Sequence, residues 1–494
     1  MVRSCLSRPV LAGALLLLAA GCAPPLPGPG GGAPATAPAP HARWTPPAPT
    51  TAAPSERRPP TELPQDLAER VRRLTIEDVV DLALRNNPTT AQAWANARAA
   101  AAAYGASKGA YYPTLDAAAT VTRVKRASTG GFVAVTQTNY GPSATLSWLL
   151  WDFGGRGGTI EAARQALLSA DWTHNATITD VVLQTQVAFY TYVASGSLLA
   201  AQQASVQDAE ANLAAADARR QVGAATIADV LQARTALSQA RLALDTLEGS
   251  RLSARGALAV ALGYPASLPY DVDSVSAPRP IAAVADSVEA IIDRAVRDRP
   301  DLAAARADAA AAQARVRELR GSRLPSLVAT GTAGYTYIAN LPGGGSNYNF
   351  GLALEVPLFN GFAREYQQKQ AEFQADATSA QQRSLEQQVT YQVFSAYYAL
   401  QAATRRVQTA NDLLASAAQS TEVALARYKA GVGTVLDLLA AQSALADARA
   451  QVVQSRLAWH TSLAQLAHNA GALDSKGETD LRFSPDTVEN PPSR

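Results

Sequence analysis

The feature that most constrains the fold of this chain is an internal duplication. The stretch Thr75–Ala83 matches Ser287–Ala295, and Asn87–Pro88 matches Arg299–Pro300, all at a spacing of 212 residues (position 300 against 88). A second group of matches, further along, keeps a spacing of 208 residues (position 431 against 223). Chance does not keep one register over such a distance, so the body consists of two versions of one unit.

The second group of matches lies where each unit turns back on itself. These positions are Gly223, Thr226 and Asp229 in the first copy and Gly431, Thr434 and Asp437 in the second. The spacing shortens by four residues between Pro113 and Trp148, so the first copy has a slightly longer insertion there. We therefore predict a first repeat over 74–285 and a second over 286–473, followed by a C-terminal tail, 474–494.

Each repeat contains a helical run that is too long for a globular core. Residues 157–221 and 364–430 contain no proline, and about 65 helical residues reach roughly 100 Å. Gly223 and Gly431 are placed to end these helices, and return helices follow, so the long helices are predicted over 157–262 and 363–470. Helices of this length have to lie against others in a tube or coiled coil.

Before each long helix, the spacing of the hydrophobic residues changes from that of a helix to that of a strand, in which every second residue is apolar. An Ala-rich helix is predicted from Thr75 to Tyr112 with a break at Pro88, and Pro113 and Pro325 mark the change to strand. Hairpins follow over 113–152 and 325–359. In the fourth candidate strand, the apolar residues Phe350, Leu352, Leu354, Val356 and Leu358 alternate with Asn349, Gly351, Ala353 and Glu355.

Alternating strands of about ten residues with aromatic ends are typical of a transmembrane β-barrel, although a hairpin packed on helices shows the same period. The loops are predicted at 125–135 and 339–346. Four strands cannot close a barrel, and open edges in lipid leave backbone groups unpaired. Three chains supply twelve strands and a water-filled bore. The predicted fold is therefore mainly α with membrane β: a long α-helical barrel plus a β-barrel formed by a trimer, four strands per chain.

The N-terminus is predicted to be a lipoprotein signal peptide, residues 1–21. Arg3 and Arg8 begin it, a nine-residue apolar run over 10–18 follows, and small residues precede Cys22. Nine residues are too few to span a bilayer. Cleavage before Cys22 would leave its thiol carrying a covalent lipid, whereas a plain secretory signal is the alternative. Cys5 leaves with the signal, so the mature chain has no intramolecular disulfide and no thiolate metal site.

Residues 22–73 are predicted to be a lipid-anchored tether. Fourteen of the chain's 29 prolines lie between Pro24 and Pro64, a composition that favours an extended spacer and cannot bury a core. A proline-rich binding motif is the alternative for this segment.

The composition indicates neither a nucleic-acid-binding protein nor an enzyme. Lys and Arg number 43 against 41 Asp and Glu, without a basic cluster. No nucleophile, base or metal cluster is apparent, because the histidines lack ligand spacing; they are His41, His174, His460 and His468. The glycine-rich stretch 154–158 is interpreted as a strand-to-helix turn. We expect no catalytic residue, no bound metal and no cofactor other than the lipid.

Several duplicated motifs in a fixed order, over Leu74 to about Leu473, resemble the TolC-like outer-membrane efflux proteins. They are Asn87–Pro88 and Arg299–Pro300, Tyr112–Pro113 and Leu324–Pro325, the pre-helix turns 151–154 and 359–361, and the helix tips 222–226 and 430–434. The resemblance implies a homotrimer with a twelve-stranded barrel in the outer membrane, an α-barrel in the periplasm, and an equatorial belt to which we assign 263–285 and the tail after Ala470.

The resemblance also implies a function. The chain would be the passive conduit of a tripartite efflux system for small molecules, working with a periplasmic adaptor protein and an inner-membrane pump that supplies energy. The lipid-anchored start is more similar to the drug- and metal-efflux branch than to the secretion branch. The alternatives are a channel for type I protein secretion, or a lipid-anchored periplasmic coiled-coil structural or adaptor protein.

Two roles are open for the helix tips. In the family, carboxylates at the tips can ring the pore entrance, and Asp229 and Asp437 fall on such positions, although Gln232 and Ala440 leave the acidic ring thin. Both aspartates also fit a capping box with the threonine three residues earlier. The turn residues resemble the region that docks the adaptor, but they also suit simple turn chemistry; they are Gly223, Thr226, Gly431 and Thr434.

Overall fold

The computed structural model of the chain describes residue 37 and residues 39–44, 75–125, 136–267, 287–339 and 341–473. The first repeat contains α1 (Ile76–Asn86), α2 (Pro88–Lys108), β1 (Thr114–Lys125), β2 (Thr136–Trp151), α3 (Gly155–Gln221) and α4 (Ile227–Ala261). The second contains α5 (Val288–Asp298), α6 (Pro300–Gly321), β3 (Ser326–Ile338), β4 (Gly344–Glu355), α7 (Ala363–Lys429) and α8 (Val435–Asn469). A short 3₁₀ turn, Gly109–Tyr111, follows α2.

The two repeats agree in the lengths of their helices. The long helices α3 and α7 each have 67 residues, the return helices α4 and α8 each have 35, and α1 and α5 each have 11. A helix of 67 residues is about 100 Å long. None of the helices in the described part of the chain combines the length and the apolar character needed to cross a bilayer.

The long helices pack side by side. Helix α3 packs against α2, α4, α6 and α8, and α7 packs against α5, α6 and α8. Small side chains permit close approach: a Cβ atom added at Gly158 of α3 would lie 2.4 Å from the backbone nitrogen of Glu318 in α6. This crossing therefore requires glycine.

The four strands form one antiparallel sheet in the order β1-β2-β3-β4. Its register gives the sheet two chemically different faces, because directly paired residues point to the same side. One face is largely apolar and carries Leu115, Val121, Tyr140, Leu146, Trp148, Leu327, Tyr337, Phe350, Leu352 and Leu354. The other is largely polar and carries Asp116, Thr120, Asn139, Ser143, Thr145, Thr330, Thr332, Asn347 and Asn349. Strands β1 and β4 are the edges of the sheet.

The fourth strand is shifted from the predicted position. It covers Gly344–Glu355, so Val356 and Leu358, predicted within it, lie beyond its end, and part of the predicted loop 339–346 is strand. Tyr337 of β3 pairs with Gly344, so backbone pairing decides the start despite the low strand propensity of glycine. Pro357 explains the end, because proline has no N–H to donate.

The main hydrophobic core lies in a belt part-way along the long helices and draws on both repeats. Its largest members include Val80, Ile178, Phe189, Leu258, Val393, Trp459 and Leu466. Smaller clusters occur along the rest of the helices. The core thus joins the two units at one level of an elongated molecule.

The breaks at Pro88 and Pro300 close each repeat on itself. Asn87 Nδ2 donates to Ala261 O at 3.2 Å, and Arg299 Nη1 donates to Asn469 O at 3.4 Å. Each break therefore contacts the end of its own return helix. This contact explains why both repeats carry a polar residue before the proline. Of the predicted belt segment 263–285, the structure describes only residues 263–267, and the tail 474–494 lies outside the described residues, as do the signal peptide and Cys22.

Part of the predicted tether 22–73, whose composition cannot bury a core of its own, is packed against the body. Ala37 and Trp44 are only 2% and 3% exposed. We call residue 37 and residues 39–44 the N-terminal strap. Trp94 Nε1 donates to Ala37 O at 2.6 Å, and Trp44 lies edge-on to Trp172 at 5.3 Å. Aromatic side chains distant in sequence supply the packing that the strap's own composition lacks.

Candidate functional site

The predicted tip residues lie in two matching turns at one end of the long helices. Helix α3 ends in a Schellman motif: Gly223 N donates to Arg220 O at 3.0 Å and Ala224 N donates to Arg219 O at 2.8 Å. Gly431 ends α7 in the same way, and the two glycines have φ angles of 78° and 75°. Glycine is needed at both positions because L side chains rarely adopt positive φ.

Both return helices begin with a capping box. Thr226 N donates to Asp229 Oδ2 at 2.7 Å, and Asp229 N donates to the Thr226 hydroxyl oxygen at 3.2 Å. Thr434 and Asp437 make the same two bonds, each at 3.2 Å. The capping geometry predicted from Thr-x-x-Asp is therefore present in both tips.

The carboxylate of Asp437 is anionic at neutral pH. Hydrogen bonding with the Thr434 side chain, together with the Thr434 backbone amide, lowers the pKa of Asp437 below its ordinary value. The same negative charge suits the N-terminal end of α8, where free backbone N–H groups point outward. Capping and a charged pore entrance are thus compatible, because one ionised carboxylate meets both requirements.

A contact between the two tips was not predicted from the sequence. Arg219 Nη1 donates to Tyr428 O at 2.6 Å, and its guanidinium lies 4.6 Å from the centre of the Tyr428 ring. Arg219 lies in the last turn of α3, where a cation suits the helix dipole. In the structure, it also binds the last turn of the other repeat's helix, 209 residues away.

Apolar side chains surround the tip turns and are exposed to solvent. They include Val222, Ile227, Leu231, Val432 and Leu436. Single exposed apolar residues are normal, but a group at one end of a molecule is typical of a contact surface. The tips therefore combine rigid turns with apolar surface.

The other end of the long helices joins them to the sheet. Gly154 adopts a left-handed conformation with φ of 90°, and α3 begins at the next residue. The strand-to-helix turn therefore ends at Gly154, and residues 155–158, which were predicted to belong to it, form the first turn of α3. Arg156 Nη1 donates to Leu149 O at 2.6 Å, at the end of β2. Its counterpart Arg364 donates to Ser322 O at 2.8 Å. Arg156 thus binds the strand that precedes its helix, whereas Arg364 binds the connection between α6 and β3.

The described histidines have individual structural environments. His460 stacks on Tyr190 with ring centres 4.4 Å apart, and burial lowers its pKa to about 4. His468 Nε2 lies 2.7 Å from Asp180 Oδ1. Within the described ranges, no group of three His, Cys, Asp or Glu side chains is placed to bind a metal ion.

Comparison with known proteins gives the same assignment as the fold. The family described as outer membrane efflux protein matches residues 79–264 and 291–472. The chain belongs to this family. The two matched stretches correspond to the two repeats, and both include the tip residues of their repeat. Membership confirms the predicted TolC-like architecture and supports the predicted role as an outer-membrane efflux channel.

Individual relatives agree over most of the chain. Protein CyaE of Bordetella pertussis is 31% identical over 415 residues, which cover 82% of this chain and 86% of that protein. Outer membrane protein OprJ of Pseudomonas aeruginosa is 27% identical over 373 residues, 74% of this chain and 77% of OprJ. The crystal structure of the outer membrane protein VceC of Vibrio cholerae has the same fold, with a TM-score of 0.72 at 19% identity, covering 80% of this chain and 96% of VceC. The chain is an outer-membrane efflux channel protein that extends into the periplasm.

Proposed function

We propose that three copies of the chain form a passive conduit that carries small molecules across the periplasm and the outer membrane. The two-faced sheet with its two open edges is the observation that carries this proposal. An apolar outer face suits lipid and a polar inner face suits water. The unpaired edges β1 and β4 require partners wherever water is absent. Edge-to-edge pairing of three sheets satisfies both strands in every copy.

Exposed apolar side chains on the long helices support the same assembly. Tyr366, Phe373, Tyr391, Leu242 and Leu252 are exposed in the single chain. They lie on α7 and α4, where a neighbouring copy would cover them. Burial of such side chains stabilises association by roughly 25 cal/mol per Å² of apolar surface.

The partners follow from the family and from the tips. We propose that a periplasmic adaptor docks on the turns at Gly223, Thr226, Gly431 and Thr434 and that an inner-membrane pump supplies the energy. The exposed apolar residues around these turns support the docking. Asp229 and Asp437 cap their helices, and three copies would place six carboxylates around the periplasmic entrance. We propose that these charges tune ion passage there, in addition to capping.

A covalent lipid on Cys22 completes the proposal. The mature chain would then be attached to the outer membrane by the lipid as well as by the barrel. Replacement of Cys22 by serine should abolish incorporation of labelled palmitate. Loss of trimers in the same variant would mean that the lipid is required for assembly, whereas unchanged trimers would mean that it only anchors.

Cysteine crosslinking of the two edge strands tests the assembly. Within one sheet, β1 and β4 are separated by two strands, or about 14 Å at 4.8 Å per strand, which is too far for a disulfide. Cysteines scanned through the middle of β1, around Thr120, and of β4, around Gly351, should therefore give covalent trimers on oxidation. Cysteines at Ala118 and Ser143, which pair within one chain, are the control and should leave monomers. Monomers from every edge pair would contradict the proposal.

A further inference from the structure

The N-terminal strap lies on one face of α3. Asn175 makes two bonds with the strap backbone: Trp44 N donates to Asn175 Oδ1, and Asn175 Nδ2 donates to Trp44 O, both at 2.7 Å. His174 Nε2 lies 2.8 Å from Ala42 O, and Arg43 donates to Leu473 O. The strap is thus bound mainly through its backbone, by side chains from several parts of the body.

The contact with Ala42 determines the tautomer of His174. A carbonyl oxygen only accepts, so Nε2 must carry the hydrogen, and in the neutral ring Nδ1 is then an acceptor. Burial lowers the pKa of His174 and favours the neutral ring. Nδ1 is buried and has no hydrogen-bond partner among the described residues. An acceptor without a donor is thus present beneath the strap.

A second group beneath the strap has the complementary need. Asp171 is fully buried, and neither of its carboxylate oxygens has a hydrogen-bond partner in the described part of the chain. It lies three residues before His174 and four before Asn175, so it shares the helix face that the strap covers. Burial raises the pKa of Asp171 to about 8. A buried carboxyl without a cationic partner avoids a large desolvation cost by keeping its proton.

We propose that the carboxyl of Asp171 is protonated when the strap is docked and donates its hydrogen bond to Nδ1 of His174, so that docking of the strap depends on one proton. The three-residue spacing on one helix face puts the two side chains next to each other, and one hydrogen bond between them gives each group a partner. The resulting chain of bonds runs from Asp171 through the His174 ring to Ala42 O. This inference concerns the strap alone and goes beyond the proposed conduit.

The direction of the pH dependence follows from the two states. When the strap is released, Asp171 of α3 is exposed to water and ionises near its ordinary pKa of about 3.9. When the strap is docked, Asp171 keeps its proton up to about pH 8. Docking therefore takes up a proton and weakens as the pH rises toward 8. His174 acts in the opposite direction only below about 6.5, where the released ring becomes protonated.

Other charged groups near the strap interfere little above about pH 7. His41 of the strap faces Asp81 and Arg85 of α1. Burial lowers the pKa of His41, and the positive charge of Arg85 lowers it further, so the docked ring is neutral in this range. Arg43 of the strap keeps its charge at every pH used. Burial is the cause of the shifted pKa of Asp171. The released rings of His41 and His174 are mostly neutral only above about pH 7, so the window from about pH 7 to 8 reports Asp171.

Hydrogen exchange of the full-length protein in detergent tests the inference. The peptide over residues 39–44 includes the Trp44 amide, which is bonded to Asn175. After correction for intrinsic exchange rates, its protection should fall by up to about tenfold per pH unit between about 7 and 8. Asp171→Asn retains a donor for Nδ1 but cannot ionise, so its protection should be independent of pH. A flat wild-type profile, or an unchanged slope in Asp171→Asn, would overturn the proposal.

Two further variants test the hydrogen bonds directly. Gln in place of His174 can accept from Asp171 and donate to Ala42 O, so His174→Gln should retain most of the protection at pH 6.5. His174→Leu removes both hydrogen bonds, so the protection of the strap should fall at least tenfold. Wild-type protection in this variant would also contradict the proposed hydrogen bond between Asp171 and His174. Asp208→Asn is the matched control, since Asp208 lies on the same helix but pairs with Arg449 at 3.5 Å. It should leave the wild-type slope unchanged.

Discussion

The two repeats solve the same structural problem with different side chains. At the break before Pro88, Asn87 caps α2 through Thr89 N at 2.9 Å and contacts Ala261 O. At the break before Pro300, Arg299 cannot cap, and its buried guanidinium instead binds Asp301 at 2.6 Å. The backbone geometry is nearly the same, with φ and ψ of −67° and 124° against −68° and 124°.

The second break is also connected to more of the molecule than the first. Arg299 donates to Gln392 Oε1 of α7 at 2.8 Å and to Asn469 O at the end of α8. Asn469 Nδ2 in turn donates to Gln392 O. The comparison teaches that a duplicated fold preserves the path of the backbone, while its side chains can diverge from a cap with one distant hydrogen bond to a charged network with several.

Removal of the buried arginine should have the largest effect. Arg299→Met leaves Asp301 without its cationic partner, so local opening of the belt should become easier by about 3 kcal/mol. Asn87→Ala removes the cap and one neutral hydrogen bond to Ala261 O, and it should cost about 1 to 2 kcal/mol. Hydrogen exchange of α6 and α2 measures each opening. Equal losses in the two variants would contradict the distinction between a network and a local cap.

Alanine at the glycine that follows each return helix should cost more in the first repeat than in the second, because the steric contacts of the added Cβ atom differ. Gly263 and Gly471 have φ angles of 81° and 68°, so alanine costs about 1 kcal/mol at either one. A Cβ atom at Gly263 would also lie 2.5 Å from Asn86 O, whereas at Gly471 the nearest atom is 3.4 Å away. Gly263→Ala should therefore destabilise α1 and α4 by about 2 kcal/mol in exchange measurements, and the Gly471 variant by half as much. A larger loss at Gly471 would be inconsistent with this packing.

Equivalent substitutions in the two tips should have nearly equal effects, because the tips are the part of the molecule in which the repeats are most similar. Thr226→Val and Thr434→Val each remove a capping hydroxyl while preserving the side-chain shape. Each should make the first turn of its return helix open more easily by about 1 kcal/mol. The matching Thr→Ser variants retain the cap and are the controls. If the two Thr→Val variants increase the exchange rates of their tips by factors that differ more than about tenfold, the capping boxes are not equivalent.

The smallest expected effect is a pH dependence of the second tip. Because hydrogen bonding with Thr434 lowers the pKa of Asp437, the folded tip favours the ionised carboxylate. That stabilisation is present above the ordinary pKa of about 3.9 and is lost as the pH falls through the lower folded value. Exchange in the first turn of α8 should accelerate below about pH 4, and Asp437→Asn should abolish the dependence. An unchanged profile in the variant would assign the effect to another group.

Features that depend on nearby residues were predictable from the sequence. The capping boxes need only a threonine and an aspartate three residues apart, and the ends of α3 and α7 need only a glycine. The breaks at Pro88 and Pro300 follow from the chemistry of proline. The extent of β4 was not predictable in the same way, because its start depends on pairing with Tyr337, a residue in another strand.

The features that escaped prediction join residues that are far apart in the chain. Arg219 reaches Tyr428, and Arg299 reaches Asn469, across separations of 209 and 170 residues. The strap was interpreted as a spacer because its own composition contains little that can bury itself. Trp94, His174 and Asn175 supply its partners, and no local pattern points from the strap to them.

The sequence by itself determined the duplication, the order of helices and hairpins and the turn chemistry, since propensity, period and capping act over a few residues. Only the tertiary structure decided which side chains bind across the repeats, where the strap docks, and which groups remain buried without a partner. Those outcomes depend on how the long helices α3 and α7, each about 100 Å long, pack against α6 and α8, which contact both of them. Packing at that distance brings together residues that share no local sequence signal.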